Sequence, residues 1–406
     1  MSLDERNVQT AVKYGIDIKK LKQGADTKKN LKVFGNDLTF LGVREFERTK
    51  HVHRLHPYLG KFIPQLVEVF LSSYFKKGDV ILDPFAGSGT TLVEANVLGM
   101  SAIGIELSPF NVLIGQVKTR EYDIPELEYE IKDALKRVKA FSGSYSNKKL
   151  FDAHQKFETQ SEYLKTWFSE RALQEILFYR SIIPEYKNKE ILMVILSRAA
   201  RSSRLISHYD LARPKKPVKT RYWCIKHKRY CDPTNEAYKF IERYSLDTID
   251  RIKEYDKLRS NAPLKIYEAD SRLIKLPKNT KIDGIFTSPP YVGIIDYHEQ
   301  HRYAYELFDF PRNDELEIGP ASKGTSAVAK GRYAKDIESV FKNTSKYLKN
   351  GAKIFIVAND KYDLYPEIGA KCGFKLIDVF QRPVLMRTER TGKEYFESIF
   401  YFEKPL

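Results

Sequence analysis

The sequence predicts a doubly wound α/β protein whose sheet is interrupted by a long, mainly helical insertion. Two observations carry this. Strand-like and helix-like segments alternate over about 40 residues between Asp79 and Thr119, the pattern of a parallel sheet. The alternation stops near Arg120 and resumes at Leu264, with further apolar strands as far as Glu403. Structureless loops of roughly 140 residues are foreign to compact domains, so residues 120–262 are expected to form an inserted subdomain. Residues 51–119 and 263–406 then make one sheet domain, and the polar, Lys-rich residues 1–50 an N-terminal extension.

The elements follow in order. In residues 53–75, HRLHPYLGKFIPQLVEVFLSSYF, the side chains Phe62, Leu66, Val69, Phe70 and Tyr74 recur at helical spacing. Pro64 stands near the start of that helix, where its missing N–H is tolerated. DVILDPF (79–85) is a short buried strand, and TLVEANVLG (91–99) a helix closed by Gly99. SAIGIEL (101–107) is a second strand and PFNVLIGQVKT (109–119) a second helix. Beyond the insertion, LKIYEAD (264–270), IDGIFTSPPY (282–291), KIFIVAND (353–360), FKLIDVFQRPV (374–384) and ESIFYFE (397–403) complete the sheet.

Composition narrows the class. The 406 residues are 42% hydrophobic, enough for a sizeable core and against global disorder. No apolar run approaches the ~18–20 residues that span a bilayer. The start, MSLDERNVQT, lacks a basic segment followed by an apolar one, and a cytoplasmic protein is expected. Three cysteines are too few for a disulfide scaffold.

The formal net charge is +16, and its distribution is uneven. Between Arg198 and Tyr230 stand eleven Lys or Arg against one acid, Asp210. A solvated charged face mixes signs, and this one does not. Arg198, Arg201, Arg204, Arg213, Lys215, Lys216, Lys219 and Arg221, interleaved with Tyr209, Tyr222, Trp223 and Tyr230, are read as a nucleic-acid contact surface.

DPFAGSGTT (83–91) lies between a strand and a helix, where open α/β sheets bind ligands. Gly87 and Gly89 let the backbone approach a ligand closely. A phosphate-cradling loop needs Lys-Ser/Thr after the last glycine, and none is present. Glu106 ends the next strand, where a carboxylate can accept hydrogen bonds from a ribose. The turn is suited to a nucleoside rather than to a pyrophosphate.

This stretch closely resembles the first motif of the amino-DNA methyltransferases, Asp-Pro-Phe-x-Gly-x-Gly-Thr, and matches it throughout. The resemblance implies a Rossmann-like methyltransferase sheet with S-adenosylmethionine as cofactor. It implies that Asp83, Pro84, Phe85, Gly87, Ser88, Gly89, Thr90 and Thr91 wrap the methionine part, and that Glu106 holds the ribose. Asp270 would lie near the adenine. HPYLGKFIP (56–64) resembles the preceding cofactor motif, with Phe62, Ile63 and Pro64 near the methionine moiety.

Ser288-Pro289-Pro290-Tyr291 fits the catalytic tetrapeptide of the same family, Asp/Asn/Ser-Pro-Pro-aromatic. The chemistry explains the composition. An exocyclic amino group is a poor nucleophile because its lone pair is delocalised into the ring. Two acceptors aimed at its hydrogens localise that pair. Ser288 Oγ and the Pro289 carbonyl can serve, and fixed φ at both prolines holds them in place. Tyr291 offers a face to a base that has left the stack. In the family, serine at the first position goes mostly with cytosine N4 and aspartate with adenine N6, so cytosine is the expected target. Adenine N6, an RNA base and a non-catalytic binding role are the alternatives. A double-stranded DNA partner and a cognate restriction endonuclease are expected with it.

Other candidates are weaker. Cys224-x2-His227-x3-Cys231 offers three possible metal ligands, but structural zinc sites use four, and no fourth has recognisable spacing. No metal is expected there. Tyr297, His298 and His301 follow the tetrapeptide on an amphipathic helical pattern and could line a base pocket. Asp360 and Tyr362 follow the fifth strand on the side of the tetrapeptide.

Overall fold

Strand order decides where this protein can hold a ligand. The computed structural model describes residues 32–33, 36–40, 42–58, 60, 62–144, 156–208, 214–384 and 395–406. Apart from a short antiparallel pair, Lys32–Val33 with Asn36–Asp37, its strands are β1 (Val80–Asp83), β2 (Ser101–Glu106), β3 (Tyr222–Cys224), β4 (Arg229–Cys231), β5 (Leu264–Glu268), β6 (Ile282–Thr287), β7 (Leu348–Ala358), β8 (Lys375–Val384) and β9 (Tyr395–Glu403). Strands β3 and β4 form a separate antiparallel hairpin. The other seven make one sheet in the order β8-β9-β7-β6-β1-β2-β5. Strands β5, β2, β1, β6 and β7 are parallel neighbours, and β9 runs antiparallel between β7 and β8.

The chain leaves β1 towards β2 and β5, then returns to lay β6 on the other side of β1. Between the carboxyl ends of β1 and β6 the winding therefore reverses, and a crevice opens there. Residues before and after the insertion share the sheet, since β5 pairs with β2 and β6 with β1.

Ten helices are named here: α1 (Pro64–Tyr74), α2 (Thr90–Val97), α3 (Pro109–Thr119), α4 (Ile124–Ser144), α5 (Glu170–Ile182), α6 (Lys189–Ser203), α7 (Tyr238–Asp256), α8 (Arg302–Phe308), α9 (Ala327–Ser345) and α10 (Tyr365–Lys371). Pro64 and Pro109 open α1 and α3, where proline's fixed φ suits the first turn. The α1 face that carries Leu66, Val67, Phe70 and Leu71 is buried against the sheet. Phe70 lies 5.7 Å from Phe286 of β6 and 5.2 Å from Phe355 of β7, ring centre to ring centre. Burying each such side chain contributes roughly 1.5–3 kcal/mol.

Helices α4–α7 of the insertion share one apolar core with α3 and α8. Phe110 and Ile114 of α3, Ile131 of α4, Ile176 of α5, Ile195 of α6, Ile249 of α7 and Tyr303 of α8 all belong to it. The expected helix across residues 293–310 is in fact two pieces, Tyr297–Gln300 and α8. The break falls at His301, whose backbone leaves helical geometry while its ring packs beside Tyr58 and Phe110.

Candidate active site

A cleft of about 880 Å³, counted out to its open mouth, lies at the reversal between β1 and β6. Its walls include Asp83–Ser88 from the glycine turn, Glu106 from β2, Asp270 after β5, and Ser288 and Pro290 after β6.

The turn's geometry needs its glycines. Gly87 has φ +49° and Gly89 φ +79°, both left-handed, and Gly89 is the cap of α2. A Cβ on Gly87 would meet the Tyr58 ring at 3.2 Å. The Gly87 N–H donates to Glu106 Oε2 at 2.8 Å, and the Ser108 N–H to Glu106 Oε1 at 2.9 Å. One carboxylate thus ties the turn to the end of β2. From behind, the buried Lys118 ammonium of α3 donates to the Ser88 carbonyl at 2.8 Å.

Asp83 is the hinge between the two motifs. It is 2% exposed, accepts from the Phe85 N–H at 3.1 Å, and accepts from the Thr287 hydroxyl at 2.6 Å. Thr287 is the residue before Ser288. Burial pushes the Asp83 carboxyl up to about 6, against the hydrogen bonds that favour its charged form. Burial likewise raises Glu106, partly offset by its donors on Ser108, Asn111 and Gly87.

The tetrapeptide is anchored on both flanks. Tyr333 of α9 donates its hydroxyl to the Pro290 carbonyl at 2.9 Å, and its oxygen lies 2.6 Å from that of Tyr365. Tyr291 donates to Glu397 of β9 at 2.9 Å, and Glu397 stands 3.3 Å from the buried guanidinium of Arg382 on β8. Ser288 lines the cleft between these anchors and Asp83.

The sequence is similar to known proteins over most of its length. A family model described as "DNA methylase" matches residues 4–116, and one described as "RMKL-like, methyltransferase domain" matches residues 65–169. Type II methyltransferase M.MjaII of Methanocaldococcus jannaschii is 44% identical, over 90% of this chain and 82% of its own length. The chain belongs to the amino-DNA methyltransferase family. More distant relatives are M.MvaI of Kocuria varians, 24% identical over 69% of this chain and 62% of that one, and M.BsoBI of Geobacillus stearothermophilus. The last is 28% identical over 64% of this chain and 53% of its own.

S-adenosylmethionine is the cofactor of this methyltransferase family, and the cleft suits it. Among the described residues, the lining carries four acids, Asp83, Glu106, Asp270 and Glu317, and neither Lys nor Arg. Such a lining disfavours a pyrophosphate and favours a ligand with cationic groups. Ser88, Thr90 and His298 each contribute a buried polar atom without a hydrogen-bond partner among the described residues. Ile105, Leu107, Leu316 and Ile318 supply the apolar walls that an adenine ring needs.

The methyltransferase's expected cofactor residues divide into lining and support. Phe62, Asp83, Pro84, Phe85, Gly87, Ser88, Thr90, Glu106 and Asp270 line the cleft. Ile63, Pro64, Gly89 and Thr91 do not. Ile63 and Pro64 open α1, Gly89 caps α2, and the Thr91 hydroxyl donates to the Phe286 carbonyl behind the turn at 3.3 Å. The Asp270 carboxylate is gripped by Arg272, with three contacts of 2.6–3.0 Å.

Tyr297 and His298 line this same cleft, His298 bonded through Nδ1 to Glu317, whereas His301 is buried behind it. Asp360 accepts from the backbone N–H groups of Leu364 and Tyr365, so it caps α10, and Tyr362 carries Lys330 over its ring. Tyr58, Ser108, Glu317 and Tyr333 were not singled out by sequence. No local pattern marks them, although Tyr58 lies inside the HPYLGKFIP segment.

The basic stretch needs correction. Arg198 and Arg204 are buried and cannot face a polyanion. Arg198 pairs with Asp247 at 2.6 Å and stacks over Tyr244, and Arg204 stacks over Tyr303. Burial lowers the half-buried Arg201. Helical periodicity turns Arg198 of α6 inward, Arg204 follows it at the helix's C-cap, and both cationic planes meet tyrosine faces. Lys215, Lys216, Lys219 and Arg221 are exposed. Arg213 lies outside the described residues. No helix among the described residues is long and apolar enough to cross a membrane.

Proposed function

We propose that this methyltransferase modifies the exocyclic N4 of a cytosine flipped out of duplex DNA, as the modification half of a restriction–modification system. The observation that carries the reading is Ser288 at the mouth of the cofactor cleft, one residue after the Thr287–Asp83 bond. Serine at that position favours cytosine over adenine in the family's tetrapeptide pattern. The relatives' designation as type II methyltransferases supports the restriction–modification setting.

In this reading Asp83, Glu106 and the Gly87 backbone hold the cofactor, which supplies an electrophilic methyl group on a sulfonium. Ser288 Oγ and the Pro289 carbonyl accept hydrogen bonds from the amino group of the base and localise its lone pair. Tyr333, by occupying the Pro290 carbonyl, keeps the turn in that pose. Alignment of nitrogen and methyl supplies much of the rate. Tyr291 stacks on the base, with its hydroxyl steadied by Glu397. Residues 120–262 act as the target-recognition region, with Lys215, Lys216, Lys219 and Arg221 on phosphates.

Mass spectrometry of nucleosides from DNA incubated with enzyme and labelled cofactor tests the reading. N4-methylcytosine is the expected product. N6-methyladenine would reassign the base, and label found in RNA alone would reassign the substrate.

A further inference from the structure

The fold supplies the fourth metal ligand that the local spacing lacks. We propose that His208, Cys224, His227 and Cys231 form a structural zinc site that fixes the β3–β4 hairpin. One ligand atom from each of the four lies within 4.8 Å of all the others. Cys224 Sγ is 3.7 Å from His208 Nδ1, and Cys231 Sγ is 3.5 Å from His227 Nδ1. Zinc bonds of about 2.3 Å to sulfur and 2.0–2.1 Å to nitrogen put tetrahedral ligands about 3.3–3.8 Å apart. Both contacts already fall in that range, so only small side-chain shifts close the site.

Local structure explains how the four meet. Tyr222 pairs with Cys231 and Cys224 with Arg229, so strand alternation puts both sulfurs on one face of the hairpin. The turn between them contains His227 and passes through Lys228 at φ +51°. His208 arrives from the end of α6, sixteen residues before Cys224. The Val218 N–H bond to the Leu205 carbonyl, 2.7 Å, brings that segment back beside the hairpin. Both cysteines are buried, and neither is in a disulfide.

The chemistry balances. Each thiol gives up its proton to solvent, and two thiolates with two neutral imidazoles neutralise one Zn²⁺. Mixed sulfur and nitrogen ligands in a tetrahedron select zinc among abundant divalent ions. The Tyr222 hydroxyl lies 2.8 Å from His208 Nδ1 and 3.1 Å from the His208 backbone nitrogen. Metal entry exchanges the first of these contacts for a coordinate bond and leaves the second.

The site has a purpose in the fold. The opposite face of the hairpin exposes Trp223 and Tyr230, 56% and 60% exposed, with their rings 5.4 Å apart. The Arg221 guanidinium lies 5.8 Å from the centre of the Tyr230 ring, and Lys226 and Lys228 of the adjoining turn are exposed. A two-stranded hairpin with three residues in each strand is not stable alone in water. Zinc on one face would hold the aromatic and basic groups of the other in a fixed presentation.

Metal analysis of the reduced full-length protein should find about one zinc per chain. Cobalt(II) added to metal-stripped protein should give the intense visible bands of a tetrahedral site with thiolate ligands. Cys224→Ser and His208→Ala should each weaken zinc binding at least tenfold, whereas His227→Cys, which keeps four ligands, should retain it. Circular dichroism checks that each variant is folded. A reduced chain that takes up neither metal would overturn the proposal, as would zinc binding unchanged in folded His208→Ala. No DNA or cofactor enters these measurements, so the result stands apart from the methylation reading.

Discussion

Thr287 Oγ1 donates to Asp83 Oδ1 at 2.6 Å, and this bond joins the two motifs across the mouth of the crevice. Asp83 opens the glycine turn, and Thr287 precedes the Ser-Pro-Pro-Tyr segment. Both side chains are essentially removed from water. Whatever organises one motif therefore bears on the other. By thermodynamic reciprocity, a cofactor that stiffens the turn raises affinity for the base by the factor with which the base raises affinity for the cofactor.

The charge on Asp83 has a cost that pH can expose. Its carboxyl titrates at about 6 in the folded chain, against about 3.9 when unfolded. Between those values the folded chain keeps a proton that the unfolded chain has lost. Stability should fall as pH rises from about 4 to about 6 and be flat above. Asp83→Asn keeps an acceptor for Thr287 but removes the slope. Denaturant titrations across that range should show wild type losing up to roughly 3 kcal/mol relative to the variant. Parallel stability curves would show that Asp83 is not the titrating group.

Tyr291 separates ring from hydroxyl. Tyr291→Phe removes the bond to Glu397 and keeps the face, so methyl transfer should fall less than about tenfold. Tyr291→Ala removes the face, and the rate should fall at least about a hundredfold while calorimetry shows near-normal cofactor affinity. Full activity in Tyr291→Ala would sink the stacking role.

Tyr333 positions without touching the base. Tyr333→Phe releases the Pro290 carbonyl and loosens the turn that presents Ser288. The expected result is a roughly tenfold drop in kcat with KM little changed. Circular dichroism must show the same folded fraction as wild type, since unfolding alone would also lower kcat at constant KM, and an unchanged kcat would remove Tyr333 from this role.

The exposed and buried cations of residues 198–221 should behave oppositely. Replacing Lys215, Lys216 and Lys219 with alanine should weaken DNA binding and flatten its dependence on log salt by up to about 3. Stability should be unaffected. Arg198→Ala should cost about 2–3 kcal/mol of stability, because it takes the buried cation from the face of Tyr244 and leaves Asp247 only its longer contact to Arg251. An unchanged salt slope in the triple variant would move the DNA surface elsewhere.

What the sequence made legible was local. Asp-Pro-Phe-x-Gly-x-Gly and Ser-Pro-Pro-Tyr each lie within one turn, and each turn's conformation demands those residue types. The strands showed themselves as short apolar runs. The order of strands did not, since nothing in ESIFYFE says that it slips antiparallel between β7 and β8. Tyr333 and Glu397 reach the tetrapeptide across 43 and 106 residues, with no pattern to announce them. Charge composition gave a basic stretch, but only packing could reveal that Arg198 and Arg204 are interior.

The shared core of α3 and the inserted helices has an evolutionary consequence. Ser108 caps α3 and its hydroxyl oxygen lies 2.7 Å from the Tyr305 hydroxyl of α8, so the cofactor wall and the insertion rest on the same packed side chains. Transplanting residues 120–262 from a relative would cut through that packing rather than around it. If the insertion reads the target as proposed, new target sequences would be most accessible by point changes on its solvent side, at the hairpin. On the proposed reading, target specificity would then change more readily by substitution than by exchange of the whole segment.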